Sequence, residues 1–285
     1  MELLQLKYFC DAAQTENFSV TAKKFGVPAS NISQSIHRLE QELETELFER
    51  SANRVRLGNK GKMFYREAKQ AMLCLENAQK AIRDDGKICG EINICILTNR
   101  RIVTEVIGAF KKQYPEVTFR IRHTLSENAE SFDLIVGDDT LFISDFTAKK
   151  LLKEKLCLAV HKSHASEKMQ SLRFITMQKN SSQYFYTLEA GKLFGFVPNV
   201  AIETDDPFYV REYIEMGLGA AIVPAFSWQG LFSDEICFVE LENFNRITNV
   251  YTNNLRYKSR AVLKFQNALS DACNAEKQRE LLHFD

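Results

Sequence analysis

The 285-residue chain has room for two or three domains, and a hydrophobic content of 45% excludes wholesale disorder. Thirty-seven basic residues balance thirty-seven acidic ones, so any affinity for a polyanion has to be local rather than global. The opening MELLQLKYFC carries no signal-peptide pattern and no run of about 18 apolar residues occurs, so a cytoplasmic protein without membrane contact is expected.

Leu3, Leu6, Phe9, Cys10 and Ala13 recur at spacings of three and four, which predicts a first helix. In FSVTAKKFGV, Ser19 is placed to cap a short second helix, and Gly26 to end it in the left-handed conformation. A very short connection leads into VPASNISQSIHRLE, where Ile32, Ile36, Leu39 and Leu43 form one apolar face. Two short helices joined at a glycine turn are a helix-turn-helix. The opposite face carries Ser30, Asn31, Ser33, Gln34, His37 and Arg38, with no carboxylate before Glu40. A merely solvated face would be rich in Glu and Lys.

Val55 and Leu57 then alternate with Arg54 and Arg56 after a Ser-Ala-Asn turn, as in a short hairpin. Between Arg50 and Lys69, seven basic residues stand against one acid, Glu67. Such a run is usually just a solvated face. Directly after a helix-turn-helix it is better read as a wing lying on phosphates. Phe64, Ala68, Ala71, Leu75, Ala78 and Ile82 follow at alternating spacings of four and three, a heptad seam on a helix from about Gly61 to Arg83. The seam either packs on its own chain or pairs with a second copy. Pairing is preferred, because two DNA-reading units need a fixed separation.

DDGKICG, Asp84 to Gly90, reads as a hinge, and beyond it strands alternate with helices. INICIL, VTFRIRH, FDLIVG and LCLAV form one set of strands, and RFITM, VAIET, GAAIV and ICFVEL a second, with a closing helix near Ser259 to Cys273. Two successive sets imply two α/β lobes, the kind of architecture that binds small molecules at the carboxyl ends of its strands.

These residues resemble the LysR-type transcriptional regulators. The likeness spans the chain and is most specific in residues 1 to 66, where Ser33, Ile36, Leu39, Glu40, Leu43, Leu47, Phe48, Arg50, Val55, Leu57 and Gly61 match the family's habitual residues. Further on it rests on YPEV, FDLIVG and GLGAAIVP. The resemblance implies a winged helix-turn-helix at about 1–60, a dimerising linker helix at 61–87, and an effector domain at 88–285 similar to periplasmic binding proteins. Lobe one is expected at about 88–160 plus 260–285 and lobe two at about 161–259, with an α+β fold overall. It also implies double-stranded DNA, a homodimer or tetramer, and RNA polymerase as partners. Three departures stand out: Pro28, Ala29 and Ser30 replace the usual Ser-Gln-Pro, Gln34 replaces a common Arg, and TLSENAESF is too short for the helix usual at that place. Without a capping side chain at Pro28, Ser30 or a backbone group has to cap the third helix.

The neutral helix face now has a use. Ala29, Ser30, Asn31, Ser33 and Gln34 suit a major groove whose base edges offer donors, acceptors and the thymine methyl, and Gln34 can pair with adenine through two bonds. His37 and Arg38 fall where phosphates pass, as do Arg50, Arg54 and Arg56 on the wing.

Enzyme chemistry finds little support. The Gly-x-Gly of GLGAAIVP precedes a strand rather than following one, the reverse of a dinucleotide turn. No GxSxG, HExxH or P-loop occurs, and no cofactor is expected. Cys157, His161 and His164 lack the spacing of a metal site. The seven cysteines, odd in number and without a CxxC, read as reduced core residues. The effector is expected between lobes at Thr98, Asn99, Ser181, Ser182 and Thr204, where hydroxyls and amides meet free helix amides. These favour an organic acid, with Arg100 and Arg101 assisting, or an amino acid whose amine meets Asp138, Asp139 or Asp205. A ligand-free effector domain that serves only oligomerisation is the alternative, motivated by the short 124–132 loop.

Overall fold

The computed structural model describes residues 1–51, 54–83, 86–125, 129–228 and 230–282. It divides into two compact units, Met1–Asp85 with Leu255–Ser259, and Gly86–Asn254 with Arg260–Asp285.

In the first unit, α1 (Leu3–Thr15), α2 (Phe18–Phe25) and α3 (Ala29–Glu42) close on Phe9, Ile32, Ile36 and Leu39, all fully buried. Each such side chain contributes about 1.5–3 kcal/mol of transfer free energy. Phe9 meets the rings of Phe48 and Phe64 at 5.7 and 5.1 Å. The cap of α2 is Asn17, not the expected Ser19. Asn17 stands outside the helix with extended backbone and accepts from the amides of Ser19 and Val20 at 3.0 and 3.2 Å. Ser19 is already helical and supplies one of the orphan amides instead. Gly26 ends α2 at φ +66°, as expected. Helix α3 starts at Pro28 without a side-chain cap, so Ser30 does not take that role. The Pro28 carbonyl accepts from the Asn31 amide at 3.0 Å.

Strands β1 (Phe48–Ser51) and β2 (Arg54–Leu57) pair antiparallel, with Arg50 opposite Val55. Ala52 and Asn53 of the expected turn lie outside the described residues. A β-carbon at Gly61 would stand 2.1 Å from the Leu47 carbonyl oxygen, so glycine is required for the chain to pass so close to the hairpin. Helix α4 (Asn59–Arg83) has 25 residues, hence a length of about 37 Å. The expected seam is split. Phe64 and Ala68 pack into the unit's own core, whereas Ala71, Leu75, Ala78 and Ile82 are exposed, Ile82 by 86%. On another face of α4, Asn77 donates to the Leu255 carbonyl at 2.6 Å and accepts from the Tyr257 amide at 2.7 Å.

The second unit is built on one eight-stranded sheet. In chain order it comprises β3 (Gly90–Ile96), α5 (Arg100–Gln113), β4 (Val117–Arg122), β5 (Leu134–Asp138) and β6 (Phe146–His161). There follow β7 (Arg173–Met177), α6 (Ser182–Phe194), β8 (Asn199–Thr204), α7 (Pro207–Glu215), β9 (Ala220–Pro224), β10 (Ile236–Asn253) and α8 (Arg260–Leu282). The strand order is β4-β3-β5-β10-β6-β9-β7-β8. Parallel strands flank each side, and β10 and β6 run antiparallel through the middle. Of the expected hinge, Asp84 and Asp85 lie outside the described residues.

Both central strands are far longer than their apolar cores, LCLAV and ICFVEL, because they serve both lobes. Leu151, Leu152 and Val250 join the first core with Ile94 and Phe265, and Leu156, Leu158 and Leu241 join the second with Phe174 and Ala220. The chain therefore changes lobe inside β6, near 153–155, and inside β10, near 242–246, rather than near 160 and 260 as expected. The ladder slips between Glu240 and Asn245, and Asn243 takes φ +57°, which marks the second passage as a bulge. Lysines in β6 and asparagines in β10 are poor strand formers, and that composition hid the strands' true length. Within 124–132, Ala129–Ser131 form a single 3₁₀ turn and Ser126–Asn128 lie outside the described residues.

Candidate functional site

On the first unit, Ala29, Ser30, Asn31, Gln34, His37 and Arg38 are exposed along one face of α3, and Ser33 is half-buried between that face and the core. Arg54 and Arg56 are exposed on β2, while Val55 and Leu57 turn inward. Arg50 is differently employed. It donates to Glu40 at 2.7 Å and lies 5.8 Å from the centre of the Phe18 ring. Glu40 is buried and also accepts from the amides of Leu47 and Phe48 at 2.9 and 3.1 Å. This charge-assisted cluster ties the end of α3 to the start of the hairpin. Glu16 adds a second tie, accepting from the Leu57 amide at 2.9 Å. Helix α3 and the basic hairpin are thus held in one geometry by carboxylates, neither of them on the face that carries Gln34.

In the second unit, a cleft of about 290 Å³ opens between the lobes at the carboxyl ends of β3, β7 and β9. Three of its lining residues, Asn99, Ser227 and Arg246, belong to a buried polar network. Glu154 accepts from Arg246 at 2.7 and 3.2 Å, from the Ser227 amide at 2.9 Å and from the Ser227 hydroxyl at 2.8 Å. Asn99 accepts from Arg246 at 3.0 Å, shares the single Ser227 hydroxyl proton with Glu154, and donates to Thr248 at 3.0 Å. Asn99 does this at φ +52°, a left-handed conformation that Asn tolerates better than most residues. Its side chain is thereby turned from the amides of α5, which begin without a side-chain cap. The first turn of α5 therefore has no side-chain cap at its positive dipole end.

Thr98 and Arg100 stand beside that helix start and line the cleft. Thr98 is 8% exposed, and among the described residues neither its Oγ1 nor Arg100 Nε has a hydrogen-bond partner. Buried polar atoms cost about 1–3 kcal/mol when left unpaired, so both invite a polar occupant. The remaining cations are already engaged: Arg101 with Glu105 at 3.4 Å, Arg211 with Glu212 at 2.7 Å, Arg246 with Glu154.

Of the residues expected at the effector site, Thr98, Asn99 and Ser182 line the cleft, as do Arg100 and Arg101. Ser181 instead caps α6, accepting from the Tyr184 amide at 3.1 Å, and Thr204 accepts from the Asp206 amide at 3.5 Å. Asp138 accepts from the Thr140 hydroxyl at 2.5 Å, and Asp139 accepts from the Tyr186 hydroxyl at 2.8 Å; neither lines the cleft, nor does Asp205. Burial, then the nearby aspartates, raise the Tyr186 pKa, so this link between lobes stays a neutral phenol on a carboxylate. Among the described residues, none of the 124–132 loop lines the cleft.

Sequence reading missed Arg246, Ser227, Glu154, Phe208 and Trp228. The signal present was Trp228, the chain's single tryptophan, four residues past β9. Arg246 and Glu154 gave none, being single charges in polar runs that only strand pairing brings together. Burial pushes the Cys157 thiol up to about 12, with Glu154 and Glu240 adding to the effect, so it remains protonated. His164 faces Glu167 at 2.7 Å and the Gly217 carbonyl at 3.0 Å.

Residues 3–62 match the family model described as a bacterial regulatory helix-turn-helix protein of the lysR family, and residues 85–274 match the LysR substrate binding domain. The transcriptional dual regulator GltC of Bacillus subtilis is 29% identical over 79% of this chain and 81% of its own. ShiR of Corynebacterium glutamicum is 26% identical over 78% and 82%. Among solved structures, a full-length OxyR variant from Pseudomonas aeruginosa superposes with a TM-score of 0.70 over 96% of this chain and 95% of that one, at 18% identity. CbnR bound to its target DNA gives 0.63 over 97% and 100%, at 19% identity. No helix among the described residues is long and apolar enough to cross a membrane. The chain belongs to the LysR family of DNA-binding transcriptional regulators.

Proposed function

We propose that this regulator is controlled by a small anionic effector bound in the cleft between its two lobes. The observation that carries the reading is the pair of buried, unpartnered polar atoms, Thr98 Oγ1 and Arg100 Nε, beside the uncapped start of α5. Helices α6 and α7 also begin at this cleft, through Ser182 and Pro207, and three converging helix starts favour negative charge. Among the described residues only one carboxylate, Asp206, lines the cleft, and it caps α7 by accepting from the Phe208 amide at 2.9 Å. An organic acid therefore fits better than a zwitterion.

DNA reading falls to residues 1–60, with Ala29, Ser30, Asn31, Ser33 and Gln34 on base edges and His37, Arg38, Arg54 and Arg56 on phosphates. Arg50 supports the wing through Glu40. The linker helix, 61–87, pairs with a second copy through Ala71, Leu75, Ala78 and Ile82, and 88–285 senses the effector.

Thermal-shift measurements with a panel of small organic acids, on wild type and Thr98→Val, test the effector role. A ligand specific to the folded state raises Tm. Thr98→Val should leave the unliganded Tm unchanged or slightly higher, since it removes an unpaired hydroxyl, and should abolish the ligand-induced rise. Equal rises in both proteins would move the pocket elsewhere.

A further inference from the structure

The cleft is also lined by Leu97, Met177, Phe208, Pro224, Trp228 and Leu231, so apolar surface predominates in its lining. Two of these are aromatic, and both are accessible: Phe208 is 51% exposed and Trp228 half-buried. Leu231 is also exposed, by 39%. An aromatic ring left this open at a cleft is an unfilled contact surface. The cation at this wall, Arg211, lies 5.0 Å from the centre of the Phe208 ring and is bonded to Glu212. It is already engaged, whereas Arg100 forms no ion pair among the described residues. The cleft thus combines unpartnered polar atoms at Thr98 and Arg100 with accessible apolar area at Phe208, Trp228 and Leu231. Its volume, about 290 Å³, sits at the small end of ligand pockets.

Taking the cleft as the effector site, we propose that its ligand is a small monocarboxylate carried on a flat apolar body, an aromatic acid in chemical class. The carboxylate meets Thr98 Oγ1, Arg100 and the first amides of α5. The ring lies against Phe208, Trp228 and Leu231. A short aliphatic dicarboxylate leaves that wall uncovered and brings a second charge to it.

Because Trp228 is the chain's single tryptophan and lines the cleft, its fluorescence reports occupancy in the full-length protein without a label. Three probes separate the two ends: phenylacetate, its uncharged analogue phenylacetamide, and the ring-free dianion succinate. Phenylacetate is expected to change the Trp228 emission saturably, and the other two to bind at least about tenfold more weakly. Phe208→Ala, at an exposed position where folding is not at stake, should weaken phenylacetate by about fivefold or more and leave succinate unaffected. A saturable response to succinate with none to phenylacetate overturns the aromatic class while leaving an anion site in the cleft. Equal binding of phenylacetate and phenylacetamide overturns the carboxylate end. Silence from all three at millimolar concentration overturns the proposal. A positive organic-acid panel with loss at Thr98→Val would still uphold the cleft itself.

Discussion

Substituting Glu154 by alanine tests whether the two lobes are locked by the buried network or merely lie side by side. Glu154 is 5% exposed and neutralises Arg246, itself 7% exposed, through two hydrogen bonds, while also receiving the amide and hydroxyl of Ser227. Its removal leaves a guanidinium buried without its counter-charge, which costs about 3–5 kcal/mol. The orphaned Ser227 amide adds to that, although the terms share partners and do not sum. For a unit of this size, about 2–4 °C of Tm per kcal/mol gives a fall of roughly 6–20 °C. Urea unfolding followed through Trp228 is the assay, because that residue lies in the second unit and reports its transition separately from the helical unit. Replacing both partners, Glu154→Leu with Arg246→Met, should cost less than Glu154→Ala alone, since a volume-matched apolar pair leaves no unpaired charge. A loss under about 1 kcal/mol for Glu154→Ala, or a double variant that costs the full sum of the singles, would refute the reasoning.

On DNA, Gln34→Ala should cost about 1–3 kcal/mol on the preferred operator and little on random sequence, whereas Arg54→Ala should weaken both and flatten the salt slope. Equal losses on both DNAs for Gln34→Ala would remove α3's polar face from the reading role. Leu75→Lys should weaken the dimer in sedimentation, because Leu75 belongs to the exposed half of the α4 stripe; a dimer as tight as wild type would place self-association elsewhere. Gly61→Ala should destabilise the helical unit in urea unfolding, overriding the gain of about 0.5–1 kcal/mol usual when a glycine leaves a helix, since its β-carbon meets the Leu47 carbonyl at 2.1 Å. His164 is held above its usual pKa first by the hydrogen bond to Glu167, then by the Gly217 carbonyl and the Glu167 charge, against an opposing effect of burial. A raised folded-state pKa stabilises below the unfolded value and is lost as pH rises through the folded one. The Tm difference between wild type and His164→Gln should therefore be larger near about pH 5.5 than near about pH 9. An unchanged difference would show the pair to be idle.

The helical unit was legible in the sequence because its information is local. Ile32, Ile36 and Leu39 mark a buried face by spacing alone, and the face opposite, free of carboxylate before Glu40, marks itself by what it omits. Glycine at 26 and 61 states backbone requirements that other residues meet poorly. The cap of α2 was misplaced by two residues, since Asn17 and Ser19 are both good caps and only backbone geometry chooses between them. In α4 a uniform heptad pattern covered two different fates. Ala68 is buried and Phe64 half-buried against the chain's own helices, and that division depends on where α1 lies. The cleft was half legible. Thr98 and Ser182 follow strands and open helices, which sequence order reveals, but Arg246 and Glu154 meet only because β10 and β6 pair across the sheet, 92 residues apart in the chain. A charge in a run of asparagines, or one among lysines, carries no mark of burial. Tertiary pairing alone brought those two into one buried network, because a buried charge is stable only where another part of the chain brings its partner.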